Sequence, residues 1–391
     1  MKQSILFVNN NLHIGGVQKS LVNLIKLIKD DYDITLYLFN KGGDYIDDLP
    51  SSVTVIEATY PLKTLGMSLK EVRKTGFKFT LTKIFFVLVS RILGGKIAIS
   101  IVMRFAEKLD GFDYAISYQH PGPKNMFYGG TNEFVLRNVS AAQKIGFIHC
   151  DFKNFGGDIE YSKKLYDSFD KIAFCSRGCE DTFAEAITGA TKKSWVVYNS
   201  HDIEDILSKS RQMTKLYNPD DFNVVLISRL TFEKGVDVAI RSIYEYLNHY
   251  NRKIHLHIVG DGIDRTKFEA LTKELELEAN ITFYGNQRNP YRFMANANLL
   301  LLTSLHEAAP MVFDEAQILN IPILATPTTS SHEMILDRNA GWVCQNSATE
   351  ISNSLSAIAS GKMKRETAWK SHSINQGVSQ FITMLKAGKG V

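Results

Sequence analysis

A chain of 391 residues is longer than one hydrophobic core usually organises, so two domains are expected. With 45% apolar and 22% charged residues and no proline-, serine- or glutamine-rich tract, the composition excludes a fibrous or largely disordered protein. The formal net charge of +4 hides a local excess: residues 70–108 hold nine basic and two acidic side chains, leaving the rest of the chain net negative.

The start, Met1-Lys-Gln-Ser-Ile-Leu-Phe-Val8, has a four-residue apolar run, the length of a strand and too short for a secretory signal. A cytoplasmic protein with reduced thiols is expected. Cys150, Cys175, Cys179 and Cys344 follow neither a Cys-x-x-Cys nor a zinc spacing and read as buried or inert. After a strand at 5–8 and the pair Gly15-Gly16, residues 17–28 carry Val17, Leu21, Leu24, Ile25 and Ile28 on one helical face. Strands follow at 34–39 and 53–56.

The basic insert then holds Ile84-Phe-Phe-Val-Leu-Val-Ser90 and Ile97-Ala-Ile-Ser-Ile-Val-Met103. Arg91, Gly94-Gly95 and Lys96 interrupt it, which makes a poor membrane span. Basic and strongly apolar together fit a segment lying on an anionic membrane face; packed helices with solvated lysines fit as well. No RNA- or DNA-binding motif accompanies these charges, so no nucleic-acid partner is expected.

Further strands read at 114–117, 144–148, 171–175 and 195–198, and, after a polar linker at 199–221 with one short helix, at 224–227, 255–259, 281–283, 299–303 and 321–324. Strands alternating with helices predict an α/β protein with parallel sheets: two Rossmann-like domains facing each other across a cleft. The domains are placed at 1–200 and 201–366, with a helical segment at 367–391, bearing Trp369 and Phe381, that crosses back to the first.

Chemistry concentrates at strand-to-helix junctions. Glu307 and Glu315 lie in Ser304-Leu-His-Glu-Ala-Ala-Pro-Met-Val-Phe-Asp-Glu-Ala316, between two strands. Pro310 suits the first position of the helix, which puts Glu307 on the loop at the sheet's carboxyl edge and Glu315 about one turn into the helix. In Asn9-Asn-Asn-Leu-His-Ile-Gly-Gly-Val17, Gly15 and Gly16 open a helix whose free amides suit an anion, and a plain tight turn fits equally. The run is not Gly-x-Gly-x-x-Gly, which disfavours a dehydrogenase. Arg229 and Lys234, in Ser228-Arg-Leu-Thr-Phe-Glu-Lys-Gly235, offer two cations to phosphates. Gly260, in Val259-Gly-Asp-Gly262, reads mainly as a turn needing positive φ. Tyr284 and Asn286, in Tyr284-Gly-Asn-Gln-Arg288, could present flat side chains and backbone groups to a base.

In this order, Ser-Arg-Leu-x-x-x-Lys-Gly, Val-Gly-Asp-Gly, Phe-Tyr-Gly with Asn289-Pro-Tyr, and Glu307-x7-Glu315-Ala resemble the retaining GT-B-fold glycosyltransferases of family four, the group 1 enzymes of bacterial polysaccharide and lipopolysaccharide synthesis. The likeness is strong over residues 222–345 and looser in the first half, through Gly15-Gly16-Val17-Gln18, His149 and Phe169-Asp-Lys171. It implies that Arg229 and Lys234 hold the donor diphosphate and neutralise the leaving group without a metal, no Asp-x-Asp motif lying near them. It further implies that Glu315 accepts from ribose hydroxyls and that Glu307 faces the donor sugar. The backbone of Ala309, Pro310, Met311, Val312 and Phe313 would lie close to sugar and phosphate, and Gly16 would let the first loop approach the diphosphate. His149 would reach the sugar from the other domain.

One departure stands out: Ala308 takes the place of the family's usual glycine after the first glutamate. The implied reaction is front-side transfer, the departing phosphate oxygen deprotonating the acceptor, with no cofactor beyond the nucleotide-sugar donor, UDP-linked rather than GDP-linked. The implied acceptor is a glycan, lipid-linked, at the inner membrane face. An inert nucleotide-sugar-binding subunit and a GT-B sugar-nucleotide epimerase are the competing readings.

Overall fold

The computed structural model describes residues 2–187, 193–212, 215–250, 252–365 and 376–388. It divides into two units, Met1–His201 with Ile374–Val391, and Asp202–Ser373.

The first unit is built on seven strands: β1 (Gln3–Asn9), β2 (Tyr32–Leu38), β3 (Thr54–Glu57), β4 (Leu109–Ser117), β5 (Val139–Ile148), β6 (Lys171–Phe174) and β7 (Ser194–Val196). They pair in the order β3-β2-β1-β4-β5-β6-β7, every pairing parallel. Helices cover both faces, so the inner strands carry unbroken apolar runs such as Ile5–Val8 rather than alternation. The Gly16–Ile28 helix buries Leu21, Leu24, Ile25 and Ile28 against Ile5 and Phe7.

The carboxyl-terminal helix, Gln376–Lys386, joins this same core through Phe381, Met384 and Leu385, all essentially inaccessible. Phe381 stacks on Phe7 with ring centroids 6.0 Å apart. The Lys171 ammonium donates to the carbonyls of Met384 and Ala387, a cation set against the negative end of a helix. Trp369 and the rest of 366–375 lie outside the described residues.

Residues 63–102, which include most of the basic insert, form four helices, Lys63–Gly66, Leu69–Thr75, Phe77–Leu93 and Gly95–Val102. Ser68 and Glu71 make a reciprocal capping box at the second of them. The third is inverted. It buries Lys83, Phe86 and Ser90, while Phe77, Leu81, Ile84, Phe85, Leu88 and Ile92 face outward on one stripe. The Lys83 ammonium donates to the Thr64 carbonyl at 2.9 Å, and burial lowers its pKa to about 8. Among the described residues no helix is long and apolar enough to cross a membrane.

The second unit holds six parallel strands: β8 (Phe222–Ile227), β9 (Ile254–Val259), β10 (Ile281–Gly285), β11 (Leu299–Leu302), β12 (Ile323–Ala325) and β13 (Gly341–Val343), in the order β10-β9-β8-β11-β12-β13. The last went unread in the sequence. The stretch read as a linker is different too. Its Ile203–Ser210 helix belongs to the second unit, where Asn289 donates to the Lys209 carbonyl at 2.9 Å. In both sheets the chain reverses its direction of travel once, between β1 and β4 and between β8 and β11. Loops leaving the carboxyl ends of such a strand pair diverge and leave room for a ligand.

Candidate functional site

In the second sheet the reversal makes neighbours of two loops distant in sequence, the one after β8 and the one after β11. The first ends in a single turn, Phe232–Lys234, closed by Gly235 at φ 60°. A Cβ on Gly235 would lie 2.1 Å from the Thr303 carbonyl oxygen, so this approach admits only glycine. The loops are then laced together: the Thr303 hydroxyl donates to the Gly235 carbonyl at 2.8 Å, and the Leu305 amide to the Glu233 carbonyl at 2.9 Å.

On that frame the Lys234 Nζ meets the Glu307 Oε1 at 2.6 Å, with the two side chains 13% and 12% exposed. The Ser304 hydroxyl donates to the same oxygen at 2.8 Å, and the Thr329 hydroxyl to the Glu307 carbonyl. Ser304 and Thr329 were missed in the sequence, where isolated hydroxyls carry no signal. Arg229 is placed differently: its side chain is 67% exposed and pairs with Glu233 at 3.6 Å.

The helix carrying Glu315 runs Met311–Ile318. Pro310 is its cap and not its first residue. Its φ of −66° suits either position, but its ψ of 123° is extended, and its carbonyl accepts the first helical bond, from the Phe313 amide at 3.1 Å. The Met311 and Val312 amides ahead of it have no partner within the helix, an arrangement that favours an anion. Glu315, buried, accepts from the Tyr291 hydroxyl at 3.3 Å, and its neighbour Asp314 pairs with Arg338 at 2.6 Å. Ala308 is absent from the non-glycine residues with positive φ, so its methyl imposes no left-handed strain on the loop.

Gly260 does have positive φ, 135°, and a Cβ there would lie 1.9 Å from the Ser228 carbonyl oxygen. The ends of β8 and β9 meet through it. Tyr284 does not present its ring outward as a platform. The ring packs 4.7 Å from that of Phe293, and its hydroxyl lies 3.1 Å from the Nδ1 of His257. An apolar layer and a buried partner claim that side chain, while Asn286 just beyond it is exposed.

In the first unit Gly15 caps the Gly16–Ile28 helix at φ 178°, extended backbone that any residue adopts, so no left-handed turn explains the glycine pair. His149 follows β5. Its ring lies 4.7 Å from that of Tyr118 and 5.4 Å from that of Phe147, and its buried Nε2 makes no hydrogen bond. Burial, with a smaller contribution from His120, lowers its pKa to about 3, so the imidazole is neutral at physiological pH. It can exchange a hydrogen bond with a hydroxyl but carries no charge to a phosphate. All four cysteines are free thiols, and the described residues hold no cluster of three or more metal-binding side chains.

Residues 208–375 match the family of glycosyl transferases group 1. The chain is similar to the lipopolysaccharide 1,6-galactosyltransferase of Salmonella typhimurium, 31% identical over 139 residues, 34% of this chain and 37% of that protein. It is also similar to a Campylobacter jejuni enzyme, the N-acetylgalactosamine-N,N'-diacetylbacillosaminyl-diphospho-undecaprenol 4-alpha-N-acetylgalactosaminyltransferase, 28% identical over 182 residues, 46% of this chain and 48% of that protein. The chain thus spans about half or less of the length of the curated relatives it matches. Among solved structures, Anabaena HepE in complex with UDP and glucose superposes over 97% of this chain and 99% of its own, with a TM-score of 0.67 at 17% identity. The two parallel-sheet units have the GT-B fold.

Proposed function

We infer that this chain is a retaining glycosyltransferase of family four. It moves a hexose or related sugar from a UDP-sugar to a glycan acceptor, lipid-linked, in the synthesis of a surface polysaccharide. The observation that carries this reading is the Lys234–Glu307 pair, held at the switch point of the second sheet beside the amino end of the Glu315 helix. It lies within the stretch similar to group 1 transferases. UDP as the donor nucleotide is supported by its presence in the HepE complex of the same fold. A lipid-linked acceptor is supported by the diphospho-undecaprenol in the name of the Campylobacter relative.

In this reading Lys234 changes partners. Without donor its charge is balanced by Glu307, so neither group sits unpaired in a partly buried place. The diphosphate takes over Lys234, aided by exposed Arg229 and the first-turn amides from Met311, and charge growing on the leaving phosphate meets groups already in position. Glu307, still held by Ser304, is released to accept from a donor-sugar hydroxyl. Glu315 receives the ribose hydroxyls, and His149 supplies a neutral hydrogen-bonding group. With two cations and a helix end on the phosphates, no metal or cofactor is required. The departing phosphate oxygen takes the acceptor proton on the face it leaves, and positioning does the remaining work.

The outward apolar stripe of the Phe77–Leu93 helix, flanked by Lys78 and Arg91, is the surface on which we place contact with an anionic membrane. That makes the protein peripheral at the cytoplasmic face. The deciding experiment measures thermal stability with UDP, GDP, ADP or buffer, then sugar transfer from the nucleotide's sugar conjugates. A ligand at a hundred times its Kd adds about 2.7 kcal/mol. A shift with UDP that Lys234→Ala abolishes supports the reading, and no shift with any nucleotide defeats it. Binding without turnover would leave an inert binding subunit.

A further inference from the structure

In the first unit a cavity of about 320 Å³ opens at the carboxyl end of the Phe77–Leu93 helix, beside the Gly94-Gly95 corner. Its inner wall is polar and incompletely satisfied. Glu133 is 2% exposed; its Oε1 accepts from the Tyr161 hydroxyl at 2.8 Å, while its Oε2 is buried without a hydrogen-bond partner. Ser162, 1% exposed, has its hydroxyl likewise unpartnered. Two such atoms, on residues that line one cavity, are costly unless a ligand or water completes them. Burial raises the pKa of Glu133, which favours a carboxyl able both to donate and to accept.

The rim joins exposed Lys96, Lys124 and Asn125 to apolar side chains. Ile92, Leu93 and Met126 border the cavity and are 77%, 55% and 54% exposed. Ile92 is also the last member of the outward stripe that runs back through Leu88 and Phe85 to Phe77. A cavity with hydroxyl-matching groups inside and a continuous apolar track leading away from its mouth suits a molecule with a sugar at one end and an alkyl chain at the other.

We propose that this cavity binds the saccharide head of an amphiphilic glycolipid acceptor, its hydroxyls meeting Glu133 and Ser162 and its alkyl chain lying along Leu93, Ile92 and the stripe. The proposal rests on the reading that the acceptor is lipid-linked, and it adds where and by which groups the acceptor is held. Neither Glu133 nor Ser162 carried a sequence signal, because a buried Glu and Ser on helices look like surface residues until the fold encloses them.

The test is equilibrium binding of octyl glucoside to the full chain below its micelle concentration, against free glucose and an octyl oligoethylene glycol ether with the same chain. The glucoside is expected to bind at least tenfold more tightly than either. Ser162→Ala and Glu133→Leu should each weaken it by about tenfold, and Leu93→Ser should weaken the glucoside and the ether alike. Since the Ser162 hydroxyl has no protein partner, Ser162→Ala should fold and bind UDP as the parent does. Equal binding of glucoside and ether, or glucoside binding indifferent to both Ser162→Ala and Glu133→Leu, overturns the proposal. UDP binding and transfer to a soluble glycan, with no glucoside binding, would sink this site alone. Glucoside binding of the expected pattern without UDP binding would sink the transferase reading and leave the site standing.

Discussion

Lys234 and Glu307 are 73 positions apart in the chain and 2.6 Å apart in space. Each is the other's charge partner at the end of a parallel sheet, and each is claimed in the proposed reaction by a different part of the donor. Lys234→Ala should lower transfer by about 10²- to 10³-fold, the usual effect of removing one group that stabilises developing negative charge. It should also cost about 1–3 kcal/mol of stability, because Glu307 keeps its burial and loses its cation. Glu307→Gln keeps the shape and should cost less stability than activity. A double-mutant cycle in urea melts, with initial rates beside it, separates the two effects.

Arg229 should behave differently. Its guanidinium is largely exposed, and its contact with Glu233 at 3.6 Å is a surface ion pair. Arg229→Ala should leave stability within about 0.5 kcal/mol of the parent and still weaken UDP binding, increasingly so at low salt. A titration with UDP at two ionic strengths checks both parts; loss of fold in this variant would contradict the assignment.

Glu315→Gln retains an acceptor for the Tyr291 hydroxyl but gives up the negative charge. If Glu315 accepts from both ribose hydroxyls, UDP affinity should fall by about 10- to 100-fold, the range of hydrogen bonds to a charged group. Uridine monophosphate and UDP should lose the same factor, since the contact lies on the ribose. Calorimetry with the two nucleotides decides it: unequal losses would move Glu315 off the sugar ring.

His257 predicts an acid limit to stability. It is buried between Tyr217, at a ring distance of 3.6 Å, and a network in which its Nε2 lies 2.9 Å from the Asn223 Oδ1. Burial, reinforced by nearby His255, lowers its pKa to about 3. Below the unfolded value of about 6.5 the unfolded chain takes a proton that the folded chain refuses. Stability from this group is therefore complete above pH 6.5 and falls as pH drops towards 3, by up to about 1.4 kcal/mol per pH unit. Urea melts at pH 7 and pH 5 should show a smaller difference in His257→Gln than in the parent.

The outward stripe makes a prediction about surfaces. Phe85→Ser with Leu88→Ser should cut sedimentation with vesicles containing anionic lipid by more than tenfold, with little change in melting temperature, because both residues are exposed. Arg91→Glu should weaken it less, and the loss should shrink as salt rises. Equal binding of parent and double variant would remove this helix from the membrane contact.

Local order determined much of this protein. Unbroken apolar runs such as Ile5–Val8 announced buried parallel strands, the apolar period from Val17 announced the first helix, and Pro310 announced a helix start to within one residue. The paired glutamates and the Arg-Lys loop could be read because their chemistry lies within a dozen neighbouring residues at a strand end.

Tertiary structure alone decided which loops became neighbours. That depends on strand order, and strand order is settled by packing whole faces of the sheet. So the joining of Lys234 to Glu307 through Ser304, of Glu315 to Tyr291, and of Asp314 to Arg338 was invisible in the chain. Packing also set which side of the Phe77–Leu93 helix turned inward. A helical period shows that a helix has an apolar face, but not that Lys83 and Ser90 will be buried and that face left outside. Enclosure likewise turned Glu133 and Ser162 from two ordinary helix residues into the wall of a cavity, since burial is a property of everything packed around a side chain and not of its position in the sequence.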